Sequence, residues 1–167
     1  MSNPYESPQT QLEESIPEGA VELASRWARL GATTIDGLIG MVIGVPTMLM
    51  LGTLDYIQRG EQPPMSLTLI SALIGLVAFI AIHGYFLKAN GQTLGKKILG
   101  IRIVGMDDNV LSLPAVLVKR YLPVMGASLI PLIGQFLTFI DILFIFGSEK
   151  RCVHDYIAGT KVVKVSS

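Results

Sequence analysis

The chain has 167 residues, of which 50% are hydrophobic and 16% charged, and its 13 basic and 13 acidic residues give a net charge of zero. A soluble domain carries roughly 25% charged residues, so this composition indicates a membrane protein in contact with lipids. A neutral chain without a long basic face argues against a nucleic-acid partner. One cysteine, Cys152, excludes an internal disulfide and a metal site built from cysteines alone.

The amino-terminal residues 1–20 are polar and acidic and include three prolines. Such a segment cannot bury enough apolar surface to fold alone, so we predict a disordered cytoplasmic tail. It has neither the basic leader nor the apolar core of a signal peptide, and we therefore expect the first span to remain in the mature protein. Residues 21–167 are predicted to form one transmembrane domain.

Two long apolar segments predict membrane-spanning helices. Residues 37–54 contain no charged side chain over 18 residues, which is close to the roughly 20 residues that cross about 30 Å of hydrocarbon. An apolar face extends this first span back to residue 30, so we place it at residues 30–54. A second uncharged segment predicts a span over residues 67–88.

A third apolar region, residues 113–147, is too short for two full spans but contains prolines and a glycine at which a helix can break. We predict helices over residues 113–131 and 134–147. They form either two short tilted spans or a re-entrant hairpin. The predicted fold class is an all-α membrane protein with about four transmembrane or re-entrant helices and a small cytoplasmic β-sheet.

Basic residues set the predicted orientation, because short cytoplasmic loops carry an excess of lysine and arginine. The first loop, residues 55–66, has the single basic residue Arg59, whereas residues 88–120 have six and residues 149–167 have four. We predict a multi-pass protein of the cell membrane, the inner membrane in a Gram-negative bacterium, with both termini cytoplasmic. Cys152 should then be accessible from the cytoplasmic side.

Three short segments predict the cytoplasmic sheet. Residues 97–105 have an alternating strand pattern and are rich in β-branched side chains. Residues 110–113 can return as a partner strand after a turn, and residues 160–165 form another short strand of this kind. Because an isolated two-stranded hairpin is marginal in water, we expect these strands to form one sheet in which residues 97–105 pair with residues 160–165.

Titratable side chains inside a span cost at least a few kcal/mol and usually face a bundle interior or a cavity. At 1.5 Å per helical residue, Asp36, His83 and Asp141 lie roughly 8 to 12 Å below the cytoplasmic surface, so they can form one cluster. Partners for Asp36 are Lys119, Arg120 or His83. The alternative is structural, with the two aspartates as hydrogen-bonding groups and His83 as a polar lining residue.

Arg29 lies seven residues before Asp36, which places both on one helix face but too far apart for a direct pair. Its partner is either Asp155 or a lipid phosphate. We predict one polar network of Arg29, Asp36 and Asp155 at the cytoplasmic end of the first span, with His154 and Arg120 at its rim. Arg29 as a snorkelling interfacial anchor is the alternative.

Three motifs follow one another along the chain: RLGATTID at residues 29–36, GQTLGKKILG at 91–100 and HDYIAGT at 154–160. In this order they resemble the RDD family of prokaryotic membrane proteins, over about residues 20–165. The family is named for one arginine and two aspartates, and the matching residues are Arg29, Asp36 and Asp155. The resemblance implies an integral membrane protein, transport of an unidentified ligand and, for some members, ion–proton antiport.

The transport hypothesis makes Asp36 and Asp141 proton or cation acceptors, Arg29 and Arg120 their charge partners, and His83 a proton relay. The competing hypothesis is a non-transporting assembly, regulatory or lipid-binding module. No nucleophile and base occur at a catalytic spacing, so we expect no enzyme and no cofactor. Cys152, His83 and His154 cannot assemble a zinc site, since His83 lies in a span, so we expect no metal.

The oligomeric state bears on the transport hypothesis. A chain this small without an internal repeat would need a homo-oligomer to transport. Two small-residue pairs, Gly40 with Gly44 and Ser71 with Gly75, have the spacing of helix contacts, within the chain first and between copies second.

Overall fold

The computed structural model describes residues 21–130 and 133–165, so the predicted disordered tail over residues 1–20 lies outside the described residues. In chain order the elements are α1 (Arg26–Met50), α2 (Thr53–Gln58), α3 (Met65–Asn90), α4 (Leu94–Ile98), β1 (Ile101–Gly105), α5 (Leu113–Val116), a π-helical turn (Leu117–Tyr121), α6 (Leu122–Ser128), α7 (Ile133–Leu143), a 3-10 turn (Phe144–Phe146), α8 (Val153–Ala158) and β2 (Thr160–Lys164).

The two predicted spans form the two longest helices, α1 with 25 residues and α3 with 26. Both are long and apolar enough to cross a membrane. Their large apolar side chains are exposed, as for Val42 at 74% and Leu73 at 61%. Helix α1 begins at Arg26, before the predicted start, because the Ser25 hydroxyl caps it by accepting from the Ala28 N–H at 3.1 Å.

The third apolar region forms two helical arms, one from α5 to α6 and one from α7 to the 3-10 turn, and α6 packs against α7. Close packing at the turn requires glycine, since a Cβ at Gly134 would meet the Ala127 carbonyl oxygen. The π-helical turn ends two residues before Pro123, whose ring nitrogen cannot donate to the helical ladder. Each arm, at about 1.5 Å per residue, is shorter than the hydrocarbon core is thick.

The sheet is antiparallel, and Ile103 of β1 lies opposite Val162 of β2, which confirms the predicted pairing of the middle and final segments. The first strand starts at Ile101 rather than residue 97, because Leu94–Ile98 forms helix α4. The predicted strand over residues 110–113 is wrong: residues 110–112 form no strand and Leu113 starts α5.

A different segment covers the outer edge of β2. The Ala24 N–H donates to the Val162 carbonyl oxygen at 2.9 Å, and the Lys164 N–H donates to the Glu22 carbonyl oxygen at 2.9 Å. The residues just before α1 therefore extend the sheet, and they tie the start of the first long helix to the end of the chain.

A small apolar core lies between this sheet and the adjoining ends of α1, α3 and α5. Its fully buried members are Ala24, Ala32, Leu87, Ile101, Ile103, Val116 and Val162. The core therefore lies at the sheet end of the long helices, where it fixes the relative positions of the segments that carry the polar residues.

We predict that Gly91→Ala is clearly more destabilising than Gly100→Ala. Both glycines have positive φ, at 67° and 62°, which costs a residue with a Cβ about 1 to 2 kcal/mol. Only at Gly91 would the Cβ also meet the Ile103 carbonyl oxygen, which adds about 1 to 3 kcal/mol. Thermal unfolding of the purified protein in detergent measures both, and equal losses would contradict the close approach.

Candidate functional site

The centre of the polar region is Asp155, at the first turn of α8, whose side chain is fully buried. Its Oδ2 accepts from the Cys152 N–H at 3.0 Å, which caps the helix. Arg29 from α1 donates to Oδ2, and Arg120 from the π-helical turn donates to Oδ1. The Thr160 hydroxyl donates to Oδ1 at 3.2 Å, so both carboxylate oxygens are saturated.

Two positive groups thus share one fully buried negative group. Burial alone would raise the pKa of the Asp155 carboxyl, but the guanidinium groups of Arg120 and Arg29 reverse this and hold that pKa well below its usual range. The predicted pair of Arg29 with Asp155 is confirmed. Arg120 is a direct second partner rather than a rim residue.

Asp36 lies in a second cluster. Its Oδ2 accepts from the Thr93 hydroxyl at 2.5 Å and its Oδ1 accepts from the Gly95 N–H at 2.8 Å. The Lys96 ammonium is 3.9 Å from Oδ2, a longer and weaker contact. In the part of the chain that the structure describes, no hydrogen bond or ion pair joins Asp36 to Asp155, so the predicted single network divides into two.

The partners proposed for Asp36 from the sequence, Lys119, Arg120 and His83, are wrong, because the segment after α3 folds back onto α1. Gly95 permits this approach, since a Cβ there would meet the Ala32 carbonyl oxygen. The sequence signal was the threonine at residue 93, which caps α4 and leaves backbone N–H groups free to receive a carboxylate.

Lys96 is a buried cation that no pattern in the sequence distinguishes from the other basic residues of its loop. Burial, together with repulsion from the guanidinium group of Arg120, lowers the pKa of Lys96 to about 8, although the Asp36 carboxylate acts in the opposite direction. This pKa is lower than that of an ordinary lysine, which is about 10.4.

Among the described residues, no hydrogen bond or ion pair joins His83 to Asp36 or to Asp155. Its Nδ1 accepts from the Leu94 N–H at 3.2 Å, and its ring lies 4.8 Å from the ring of Phe79. The structure therefore places His83 as a support for α4, next to the Asp36 cluster.

Asp141 pairs with His154. Asp141 Oδ1 accepts from the His154 N–H at 2.8 Å, and Oδ2 lies 2.5 Å from His154 Nδ1. The other ring nitrogen, Nε2, is 3.8 Å from Asp155 Oδ1. Burial lowers the pKa of His154, and the Arg120 charge adds to this, while the bond to Asp141 opposes it. His154 thus links the α7 carboxylate to the Asp155 cluster.

Residues of the Asp155 cluster and of the Asp36 cluster line one cavity of about 210 Å³. A second cavity, of about 260 Å³, lies between α1 and α3. The charged and titratable residues around the first cavity are Arg29, Asp36, Lys96, Arg120, Asp141, Cys152 and His154. Asp36 and Phe79 line both cavities. The four small residues Gly40, Gly44, Ser71 and Gly75 line the second cavity. A Cβ added at any of the three glycines among them would meet open space.

Cys152 is not an accessible reporter, contrary to the expectation from the sequence. It is 6% exposed, and Arg29 donates to its Sγ at 3.4 Å. Burial raises the pKa of the thiol to about 11, although Arg29 acts in the opposite direction. A buried thiol of this kind reacts slowly with alkylating reagents.

Long apolar helices beside a buried arginine–aspartate centre define this chain as a membrane-type helical protein. The sequence model of the RDD family matches residues 23–159, and the chain belongs to that family. No solved structure matches the chain significantly.

Three relatives from Bacillus subtilis (strain 168) cover most of the chain. It is 33% identical over 141 residues to the uncharacterized protein YckC, covering 83% of each protein. It is 26% identical over 144 residues to the uncharacterized membrane protein YteJ, covering 84% of this chain and 80% of the relative. It is 31% identical over 156 residues to the uncharacterized protein YxaI, covering 84% of this chain and 96% of the relative.

We predict that Arg29 and Asp155 are energetically coupled. Asp155→Ala leaves two buried guanidinium groups without their acceptor and should cost about 3 to 5 kcal/mol. The double change Arg29→Ala with Asp155→Ala should cost at least about 1 kcal/mol less than the sum of the single changes. Thermal or denaturant unfolding in detergent measures this cycle.

The exposed pair of Arg59 and Glu61, separated by 3.4 Å, is the matched control. Exposed pairs contribute about 0 to 1 kcal/mol, so alanine changes at these two residues should add nearly independently. Additive losses at Arg29 and Asp155 would show that their contact contributes nothing specific.

Proposed function

We propose that this RDD protein carries a small ion or solute across the membrane in exchange for protons and is not an enzyme. The carrier site is the Asp36–Lys96 pair in the wall of the first cavity, of about 210 Å³. The observation that supports this proposal is the 3.9 Å contact between the Lys96 ammonium and Asp36 Oδ2 in a cavity wall, where both side chains are mostly buried.

A mechanism follows from competition for Asp36. While Lys96 is protonated, its ammonium occupies the neighbourhood of the carboxylate, and a cation that binds there meets repulsion. Once Lys96 loses its proton, the carboxylate retains the Thr93 hydroxyl and the Gly95 N–H but has no other ion-pair partner among the described residues. A cation can then take the place of the released proton, which couples cation binding to proton release.

The second cavity supports a route away from this pair. It runs along α1 from Asp36 to Thr47 and Met48, which is about 17 Å at 1.5 Å per residue. Because Asp36 and Phe79 line both cavities, a bound ion would need only a local change at these residues to pass from one to the other. Asp141 and His154, which also line the first cavity, are further proton acceptors, and His83 holds α4 in place.

The sheet supports a topology in which both ends of the domain lie in the cytoplasm. The segments before α1, after α3 and after α8 are hydrogen bonded to one another, so they share one side of the membrane. Helices α1 and α3 then cross in opposite directions, and the third region begins and ends on the cytoplasmic side. Basic residues between α3 and α5 favour this orientation.

We predict that Glu61→Cys is labelled in intact cells and that Met106→Cys and Val165→Cys are labelled only after permeabilisation. All three positions are exposed, and Glu61 lies in the loop between α2 and α3. A Cys152→Ala background removes the native thiol. The measurement uses a membrane-impermeant maleimide, and labelling of Met106→Cys in intact cells would contradict the topology.

We predict that cation flux into proteoliposomes at pH 9 is roughly ten times the flux at pH 7, following the neutral fraction of a group with a pKa of about 8. Lys96→Arg keeps a fixed positive charge near Asp36 and should abolish this rise, and Asp36→Asn should abolish flux at every pH. Glu61→Gln, an exposed carboxylate change, is the control. The assay uses Na⁺ and K⁺ with and without a pH gradient.

The second candidate function is a non-transporting membrane module for assembly, regulation or lipid binding. Full saturation of Asp155 supports this alternative, because such a centre holds α1 and α8 together without exchanging ions. The non-transporting module is favoured if cation flux does not depend on the pH gradient and does not exceed that of empty vesicles. The Arg29–Asp155 coupling must be retained in the same protein, which shows that it is folded.

A further inference from the structure

We propose that Asp141, Cys152 and His154 form a binding site for one Zn²⁺ ion. Asp141 Oδ2, Cys152 Sγ and a ring nitrogen of His154 are donor atoms that lie within 4.8 Å of one another. Carboxylate, thiolate and imidazole are the three donor types that zinc takes in proteins. This site goes beyond the proposed transport and does not depend on it.

The donor separations fit a tetrahedral ion after a small adjustment. Zinc binds at about 2.0 to 2.3 Å, so two ligands of one ion lie about 3.3 to 3.7 Å apart. His154 Nδ1 and Asp141 Oδ2 are 2.5 Å apart and would open by about 1 Å to admit it. The His154 N–H holds Asp141 Oδ1 at 2.8 Å, which leaves Oδ2 as the ligand atom.

The surroundings resemble the outer contacts of a metal site. A ligating histidine usually directs its second ring nitrogen toward a carboxylate, which fixes the ring. His154 Nε2 lies 3.8 Å from Asp155 Oδ1 on the side away from Asp141. Asp155 Oδ2 also accepts from the Cys152 N–H at 3.0 Å. One buried carboxylate therefore orients two of the three ligands.

The charges match a divalent cation. A Cys152 thiolate and the Asp141 carboxylate together supply two negative charges, and a neutral imidazole supplies none. The opposing charges are the guanidinium groups of Arg29 and Arg120, and both are already paired with Asp155. The 3.4 Å contact from Arg29 to Cys152 Sγ is a hydrogen bond that also suits a thiolate.

The cavity of about 210 Å³, which all three ligands line, offers room for a fourth ligand of the ion. Three protein ligands with one open position are typical of zinc sites that bind water or an anion. The sequence excluded only a zinc site built from Cys152, His83 and His154. Packing of α7 against α8 brings Asp141 to the other two donors, and this contact is not visible in the sequence.

Cobalt(II) substitution tests the site in the purified full chain in detergent. Cys152 is the single cysteine of the chain, so a thiolate-to-cobalt charge-transfer band reports on this residue alone. We expect one equivalent of Co²⁺ with tetrahedral visible bands, displaced by Zn²⁺. Asp141→Asn and His154→Gln should each weaken Co²⁺ binding at least about tenfold, and Cys152→Ser should abolish the charge-transfer band.

Asp108→Asn, a change at an exposed carboxylate, is the control and should leave the titration unchanged. Lys96→Arg should also leave it unchanged, so failure of zinc binding and failure of transport are separate outcomes. A second measurement needs no variant: Zn²⁺ should slow alkylation of native Cys152 at least about tenfold. Absence of a charge-transfer band together with unchanged alkylation would overturn the proposal.

Discussion

The buried carboxylate of Asp155 accepts guanidinium groups from two distant parts of the chain, one at the start of α1 and one in the π-helical turn. A charge in a medium of low dielectric constant is costly unless it is paired and hydrogen bonded. Removing either arginine would therefore leave a buried charge without its partner. Asp155 also caps α8. We interpret this centre as the contact that fixes the first long helix, the third region and the tail relative to one another.

The two aspartates of the family motif have different surroundings, and these suit different roles. Asp155 is saturated by two arginines, a backbone N–H and a hydroxyl, which makes it a fixed structural charge. Asp36 has two close neutral donors and one cation at 3.9 Å, in a cavity wall. A carboxylate whose charged partner lies 3.9 Å away and has a pKa lowered to about 8 suits exchange of that partner, whereas a saturated carboxylate does not.

Apolar packing is concentrated at the sheet end of the molecule. The buried core joins the strands to the ends of α1, α3 and α5, while most large apolar side chains further along the long helices are exposed. Helices with such surfaces are stable in lipid, where the backbone is satisfied internally and the side chains face hydrocarbon. The charged clusters lie between these regions, so the polar site is built where rigid packing meets the apolar spans.

Composition and apolar run length determined the membrane character and both long helices, because hydrocarbon thickness sets a length that is visible in one dimension. The cost of an unpaired buried charge indicated Arg29 with Asp155, and strand alternation indicated the β1–β2 pairing. Only the tertiary structure decided that Asp36 meets the cap of α4 and that Asp141 meets His154. These contacts depend on how short segments fold back between helices, and a side chain's partner across such a fold is set by three-dimensional packing rather than by spacing along the chain.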